Sequence, residues 1–190
     1  PYGDVHGNDW DCVMTIPEKG WGYQEKWLGH WKTSNELIEM LAQCVSLGGN
    51  LVVNFGPKGD GSFRPEEITA AKDIGAWMKV NSNAIYNCEH AGWEKQDWGY
   101  YTKRTGENKY YMIVFNVPVS GSLKVQPPRN WTVTKARLLG DASKNISLEK
   151  IDYGGSFIHL PKGFSTGKPF VIELEAEKTT GTGNEQKAKT

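Results

Sequence analysis

The sequence lacks an excess of either charge. Its 22 Lys and Arg balance 22 Asp and Glu, so it offers no basic surface for nucleic acid and no general attraction to an anionic membrane. It lacks any run approaching the ~20 apolar residues of a membrane-spanning helix. Hydrophobic content of 38% with 23% charge is that of an ordinary soluble, folded chain rather than a disordered one. Cysteine is scarce: Cys12, Cys44 and Cys88 are odd in number and carry no C-x-x-C spacing, which argues against a zinc site or a disulfide framework and fits buried thiols. His6, His30, His90 and His159 are scattered singly, so neither a metal site nor a cofactor is expected. The chain is too short for a complete eightfold β/α barrel, which takes about 250 residues. It opens at Pro1-Tyr2-Gly3-Asp4 with no initiator Met and no signal-peptide pattern, and is therefore expected to be a piece of a longer protein. What it holds in surplus is eight Trp and twenty-two Gly.

The two halves differ. Residues 1–92 carry 7 basic and 12 acidic residues, net −5, and residues 93–190 carry 15 and 10, net +5. Opposite signs fit two domains that attract one another. In the first half, Cys12–Ile16 reads as a short buried strand and Pro17–Lys32 as a long loop. Thr33-Ser34-Asn35-Glu36 has the capping-box form, Leu37, Ile38, Leu41, Cys44 and Val45 keep helical spacing, and Gly48-Gly49 supplies the stop. Leu51–Phe55 is nearly all apolar, as a strand buried on both faces would be. Pro65 then suits the first turn of a second helix, with Ile68, Ala71, Ile74, Gly75 and Met78 as its expected buried stripe. Two βα units in succession belong to an α/β fold. In the second half, strand-like segments near 110–115, 122–125, 132–139, 157–160 and 170–174 are separated by turn residues, which predicts an antiparallel β-sandwich. The expected organisation is α/β followed by all-β, with residues 1–92 in the first unit, 93–178 in the sandwich and a polar, Gly-rich, disordered tail over 179–190.

Chemistry is expected where loops leave the C-terminal ends of the parallel strands. The loop Pro17–Lys32 holds Trp21, Tyr23, Trp27, His30 and Trp31. Aromatic planes suit the apolar faces of pyranose rings, and an indole N–H can reach a hydroxyl; the same residues would equally serve as a lid over the chain's own core. Gly56–Gly61 lacks the G-K-[ST] ending of a phosphate loop, and Asp60-Gly61-Ser62 lacks the closing glutamate of a calcium loop. It reads as a structural turn. Asp4, Asp9, Asp11, Glu18 and Glu25 are the carboxylates nearest the first strand, yet spacing alone assigns none of them to acid–base work.

Trp10–Ile16 followed by Gly20-Trp21-Gly22-Tyr23 resembles the W-E-x-C-M-T…(S)WGY segment of α-L-fucosidases, glycoside hydrolase family 29. The resemblance continues through Val45–Leu51, Asn54–Gly61, Pro65–Glu67, Ile74–Asn81 and Ala84–Tyr86, and so covers most of residues 10–86. It implies the last two βα units of a partial (β/α)8-like barrel, followed by the antiparallel β-sandwich these enzymes carry. It also implies a retaining exo-glycosidase that removes terminal α-L-fucose from glycans. The family's aspartate nucleophile lies upstream of these blocks, and its glutamate acid/base is expected just before Pro1. This chain alone is then expected to be inactive and to need the missing N-terminal barrel portion.

Within the chain, Trp21 matches a family position that packs against the fucose ring and its C5 methyl. Asp11 stands where the family has Glu, and Val13 where it has Cys. Asp11 is therefore only a weak catalytic candidate or a supporting acid, and Asp4 and His6 are further candidates for the pocket edge. Fucosylated glycan is the implied partner, with no nucleic acid and no membrane. The compartment stays open, the parent being plausibly secreted, periplasmic or lysosomal. The competing reading is a non-catalytic fucose-binding protein. For the sandwich the expectation is a structural brace, with Trp93, Trp98, Tyr100 and Tyr101 sealing the domain junction.

Overall fold

Thr33 and Glu36 form the reciprocal cap that their spacing predicts: the Thr33 hydroxyl accepts from the Glu36 N–H at 3.3 Å, and the Glu36 carboxylate accepts from the Thr33 N–H at 2.7 Å. This cap starts the first helix of the computed structural model, which describes residues 10–141, 144–164 and 166–179. The elements are β1 (Asp11–Thr15), α1 (Ser34–Ser46), β2 (Asn50–Asn54), α2 (Pro65–Asn81), β3 (Cys88–His90), β4 (Gly99–Arg104), β5 (Lys109–Val114), β6 (Ser122–Val125), β7 (Trp131–Leu138), β8 (Ser147–Lys150), β9 (Ser156–His159) and β10 (Phe170–Lys178). Asp4, His6, Asp9 and, beyond Thr179, the polar tail lie outside the described residues.

α1 ends in a Schellman motif: Gly48 takes φ 84°, its N–H bonds the Val45 carbonyl at 3.0 Å, and the Gly49 N–H bonds that of Cys44 at 2.9 Å. The turn delivers the chain straight into β2, which pairs in parallel with β1, Asp11 opposite Asn50 through Thr15 opposite Asn54. The helices cover one face of this pair, where Ile16, Leu37 and Ala70 form a small core with Val53 and Phe55 against it. On the other face Val13 and Val52, directly opposed in register, are 47% and 45% exposed. Burial of β2 on both faces is therefore not observed; its apolar run faces helices on one side and open space on the other.

A five-stranded antiparallel sheet, order β3-β4-β5-β10-β7, lies beyond the helices, and a three-stranded antiparallel sheet, order β6-β9-β8, packs against it. Tyr101, Met112, Val114, Ile172 and Leu174 of the larger sheet share one core with Leu123, Val125 and Ile158 of the smaller. The larger sheet's opposite face, through Tyr100, Tyr111, Ile113 and Val171, meets Ile38, Ala42, Val45 and Trp77 of the helices. Being covered twice, β5 reads as a nearly continuous apolar run although its sheet is antiparallel, whereas β10 is continuously apolar only over Phe170–Ile172 and then alternates with charged residues.

Three expectations need correction. The stripe of α2 is rotated: Glu67, Ala70, Trp77 and Asn81 are buried, whereas Ile68, Ala71 and Gly75 are exposed. The anchor is Trp77, whose Nε1 donates to the Pro169 carbonyl at 2.8 Å, and it turns the helix toward the large sheet. Strands β3, β4 and β8 were not expected, because the first has three residues, the second begins at a glycine and the third is a mostly polar, exposed edge. Of the four aromatics assigned to the junction, Tyr100 lies there, while Trp93, Trp98 and Tyr101 belong to the core between the two antiparallel sheets.

Candidate active site

The aromatic loop leaves β1 at its C-terminal end and returns to α1 with its base pinned shut. Lys32 N–H bonds the Ile16 carbonyl at 2.9 Å and Glu18 N–H that of His30 at 3.0 Å. The Lys32 ammonium spans the carbonyls of Thr15 and Pro17 at 2.9 and 3.2 Å. Such bonds let a 16-residue excursion hold its shape, since backbone polar groups at its root find partners.

The tip is held from the neighbouring unit. Asn54, the last residue of β2, donates its side-chain N–H to the Trp21 carbonyl at 2.6 Å. Gly56 lies so close to the loop that a Cβ there would sit 2.9 Å from the Gly22 carbonyl carbon, which requires glycine. Arg64, the residue before Pro65, stacks its guanidinium over Tyr23 at 5.0 Å and Trp31 at 5.5 Å and donates to the carbonyls of Gln24 and Glu25. Stacking on two rings suits the planar, weakly hydrated guanidinium. Glu67 is 2% exposed, and its carboxylate accepts from the N–H groups of Gly56 at 2.8 Å and Arg64 at 3.3 Å. This buried acid ties the second loop to α2.

The loop aromatics divide between the two roles considered for them. Trp31 packs on the small core, and Trp27 is half-buried with its Nε1 donating to the His30 carbonyl at 3.3 Å. Trp21 and Tyr23 stay open, 61% and 39% exposed. His30 bonds the Glu36 carboxylate at 2.9 Å. Hydrogen bonds, first the one from the Thr33 backbone, hold that carboxyl below its ordinary value of 4.5.

Trp21 and Asp11 are not brought together. Asp11 sits at the entry of β1, where its carboxylate accepts from the Asn50 side chain at 3.1 Å. Trp21 is tethered to Asn54 at the exit, four residues along β2 from Asn50, or about 13 Å at the rise of a strand. Sequence reasoning missed Asn54, Arg64 and Glu67. A polar residue closing the apolar run Leu51-Val52-Val53 was the signal for Asn54; nothing local marks Arg64, which acts 40 residues from Gln24 in sequence.

With this geometry in place, comparison with known proteins is informative. The α-L-fucosidase family model matches residues 2–83. Plasma α-L-fucosidase of Pongo abelii is 34% identical over 171 residues, 84% of this chain and 35% of that protein. The solved structure of an α-L-fucosidase GH29 from Bacteroides thetaiotaomicron is 45% identical, with a TM-score of 0.83 over 89% of this chain and 38% of that one. A bacterial fucosidase solved with a monovalent iminocyclitol inhibitor is 44% identical, with a TM-score of 0.84 over 90% of this chain and 38% of its own. The chain is thus similar to glycoside hydrolases. More narrowly, it is similar to the α-L-fucosidases of glycoside hydrolase family 29, and it spans about a third of the length of the curated relatives it matches.

Proposed function

We propose that β1-α1 and β2-α2 are the last two βα units of a (β/α)8-like barrel, that residues 1–92 belong to it and 93–178 to the β-sandwich, and that Trp21 forms one wall of a fucose pocket. The observation that carries this reading is the exposed Trp21–Tyr23 tip, fastened to the C-terminal end of β2 beside an open apolar strand face. Barrel strands point alternate side chains into a packed interior. Val13 and Val52, opposed on the face away from the helices, are suited to such a layer. Fucose is a 6-deoxy sugar, and its C5 methyl asks for the apolar surface that an exposed indole offers.

On this reading the protein is a retaining exo-α-L-fucosidase acting on fucosylated glycans by double displacement. A carboxylate attacks the anomeric carbon while a carboxylic acid protonates the leaving oxygen, and the second group then activates water. Both groups come from parts of the barrel outside β1 and β2. Asp11, at the opposite strand end, supports the sheet through Asn50.

The test is an L-fucose titration of the chain followed by tryptophan fluorescence, alongside an aryl α-L-fucoside assay. The reading expects no turnover by this chain alone that depends on Asp11, and turnover by the full-length protein that Trp21→Ala lowers. A saturable fluorescence change that Trp21→Ala abolishes, with no hydrolysis by the full-length protein, would favour the competing fucose-binding reading. Hydrolysis by the 190-residue chain that Asp11→Asn abolishes would overturn it.

A further inference from the structure

On the outer three-stranded sheet, far in sequence from the aromatic loop, three side chains from three strands form a continuous hydrogen-bonded line. Ser122 on β6 and Ser147 on β8 both face His159 on β9 in register, which brings β6 and β8 to either side of the imidazole. The Ser122 Oγ lies 2.8 Å from His159 Nδ1, and His159 Nε2 lies 2.7 Å from a carboxylate oxygen of Glu149 on β8.

The bonding fixes the direction of the protons. An ionised carboxylate only accepts, so His159 Nε2 carries the hydrogen. Neutral His159 therefore has a bare Nδ1, and the Ser122 hydroxyl donates to it. A hydroxyl donating to an imidazole whose other nitrogen donates to a carboxylate is the arrangement that activates a serine nucleophile, whatever the fold that carries it.

A cleft lies next to this line along the chain. Ser122 is the first residue of β6 and His159 the last of β9, so both stand at the same end of the sheet. The segments leaving that end, 117–121 and 160–164, enclose a cleft of about 410 Å³. Its walls include Val117, Val119, Leu160 and Phe164, with Lys162 as a cation. Ser120 and Lys162 add polar groups to that wall, and Ser122 and His159 directly adjoin its residues Gly121 and Leu160 in sequence. The side chains of His159 and Glu149 are 37% and 61% exposed, so the line is open to solutes.

We propose that Ser122, His159 and Glu149 form a second reactive centre, independent of the fucose pocket, at which Ser122 is acylated by small carboxylic esters. In the first step Ser122 Oγ bonds to the ester carbonyl carbon while its proton passes to His159 Nδ1. The ester C–O bond breaks, and the leaving alcohol takes that proton from His159. Water, deprotonated by His159, then attacks the acyl carbon; the bond from that carbon to Ser122 Oγ breaks, and His159 returns the proton to Oγ, releasing the carboxylic acid and restoring Ser122. Glu149 is a positioning residue that holds the imidazole with Nδ1 toward Ser122.

The experiment is incubation of the 190-residue chain with p-nitrophenyl acetate and, separately, with a fluorophosphonate probe, with the modified residue located by mass spectrometry. The expected result is an adduct on Ser122 in preference to the chain's other serines, and release of p-nitrophenol that Ser122→Ala removes. Glu149→Gln, an exposed substitution that leaves the fold intact, should lower the maximal acylation rate at least about tenfold, the low end of what an oriented base supplies. Its dependence on ester concentration should stay unchanged, and Glu149→Asp should restore part of the rate. Labelling spread evenly over the serines, or Ser122 labelling that Glu149→Gln leaves unaltered, would overturn the proposal.

Discussion

The pair β1–β2 and the five-stranded sheet are built from similar residues and end in opposite situations. Leu51-Val52-Val53 and Tyr111-Met112-Ile113-Val114 are both apolar runs. The second is buried throughout, with helices on one face and the small sheet on the other. The first is covered only by helices and leaves Val52 45% exposed. An apolar run thus states that both faces of a strand are meant to be covered, and leaves open whether the cover comes from the same stretch of chain. Among the described residues the large sheet is covered on both faces, and the parallel pair on one.

That contrast predicts where substitutions will be felt. The largest effect belongs to Trp77, 5% exposed at the meeting of α2 and the large sheet. Trp77→Ala removes a large buried ring and its bond to the Pro169 carbonyl. It should cost about 3–5 kcal/mol, seen as a lower urea midpoint of the whole chain; a loss below about 1 kcal/mol would mean that the helices do not depend on the sheet.

Arg64→Ala comes next and acts locally. Losing two ring contacts and two carbonyl partners should quicken amide exchange in the 21–27 tip roughly tenfold, about 1.4 kcal/mol, while the core of the large sheet keeps its protection. Thr33→Ala should cost about 1 kcal/mol through loss of the cap, and Glu36 gives that cap a sign with pH. Its carboxyl titrates below 4.5, so its contribution is complete above the unfolded carboxylate range and is lost as pH falls through the lower folded value. Because the side chain is 45% exposed, the change is no more than a few tenths of a kcal/mol. It should show as a shallower acid limb of the urea midpoint in Glu36→Gln. Smallest of all, Val52→Thr on the open face should shift the midpoint of this chain by less than about 0.5 kcal/mol.

Much of this was legible in the residues, and the reasons for the exceptions are physical. The α1 cap and its glycine stop are local signals, written within a few residues of where they act, and they hold to the atom. The stripe of α2 is decided at long range: Ile68 loses to Trp77 because Pro169, 92 residues on, offers an acceptor. Within the candidate site the W-G-Y block located the exposed tip. The clamp that holds it, Asn54 and Arg64, depends on two loops meeting. Asp11 and Trp21 stand only ten residues apart in sequence, yet a strand carries them to opposite ends of the sheet. Glu149 and His159 show the converse, since ten residues there close on one bond.

The central claim is that the exit end of β1 and β2, not the entry end, faces the sugar. It is tested most directly by aryl α-L-fucoside kinetics in the full-length protein, comparing Trp21→Ala with Asp11→Asn. Loss of an aromatic wall worth about 1.5–3 kcal/mol predicts a fall in kcat/KM of roughly 10- to 100-fold for Trp21→Ala, with Asp11→Asn within about twofold of the parent. The opposite ranking, Asp11→Asn crippled and Trp21→Ala active, would contradict the account.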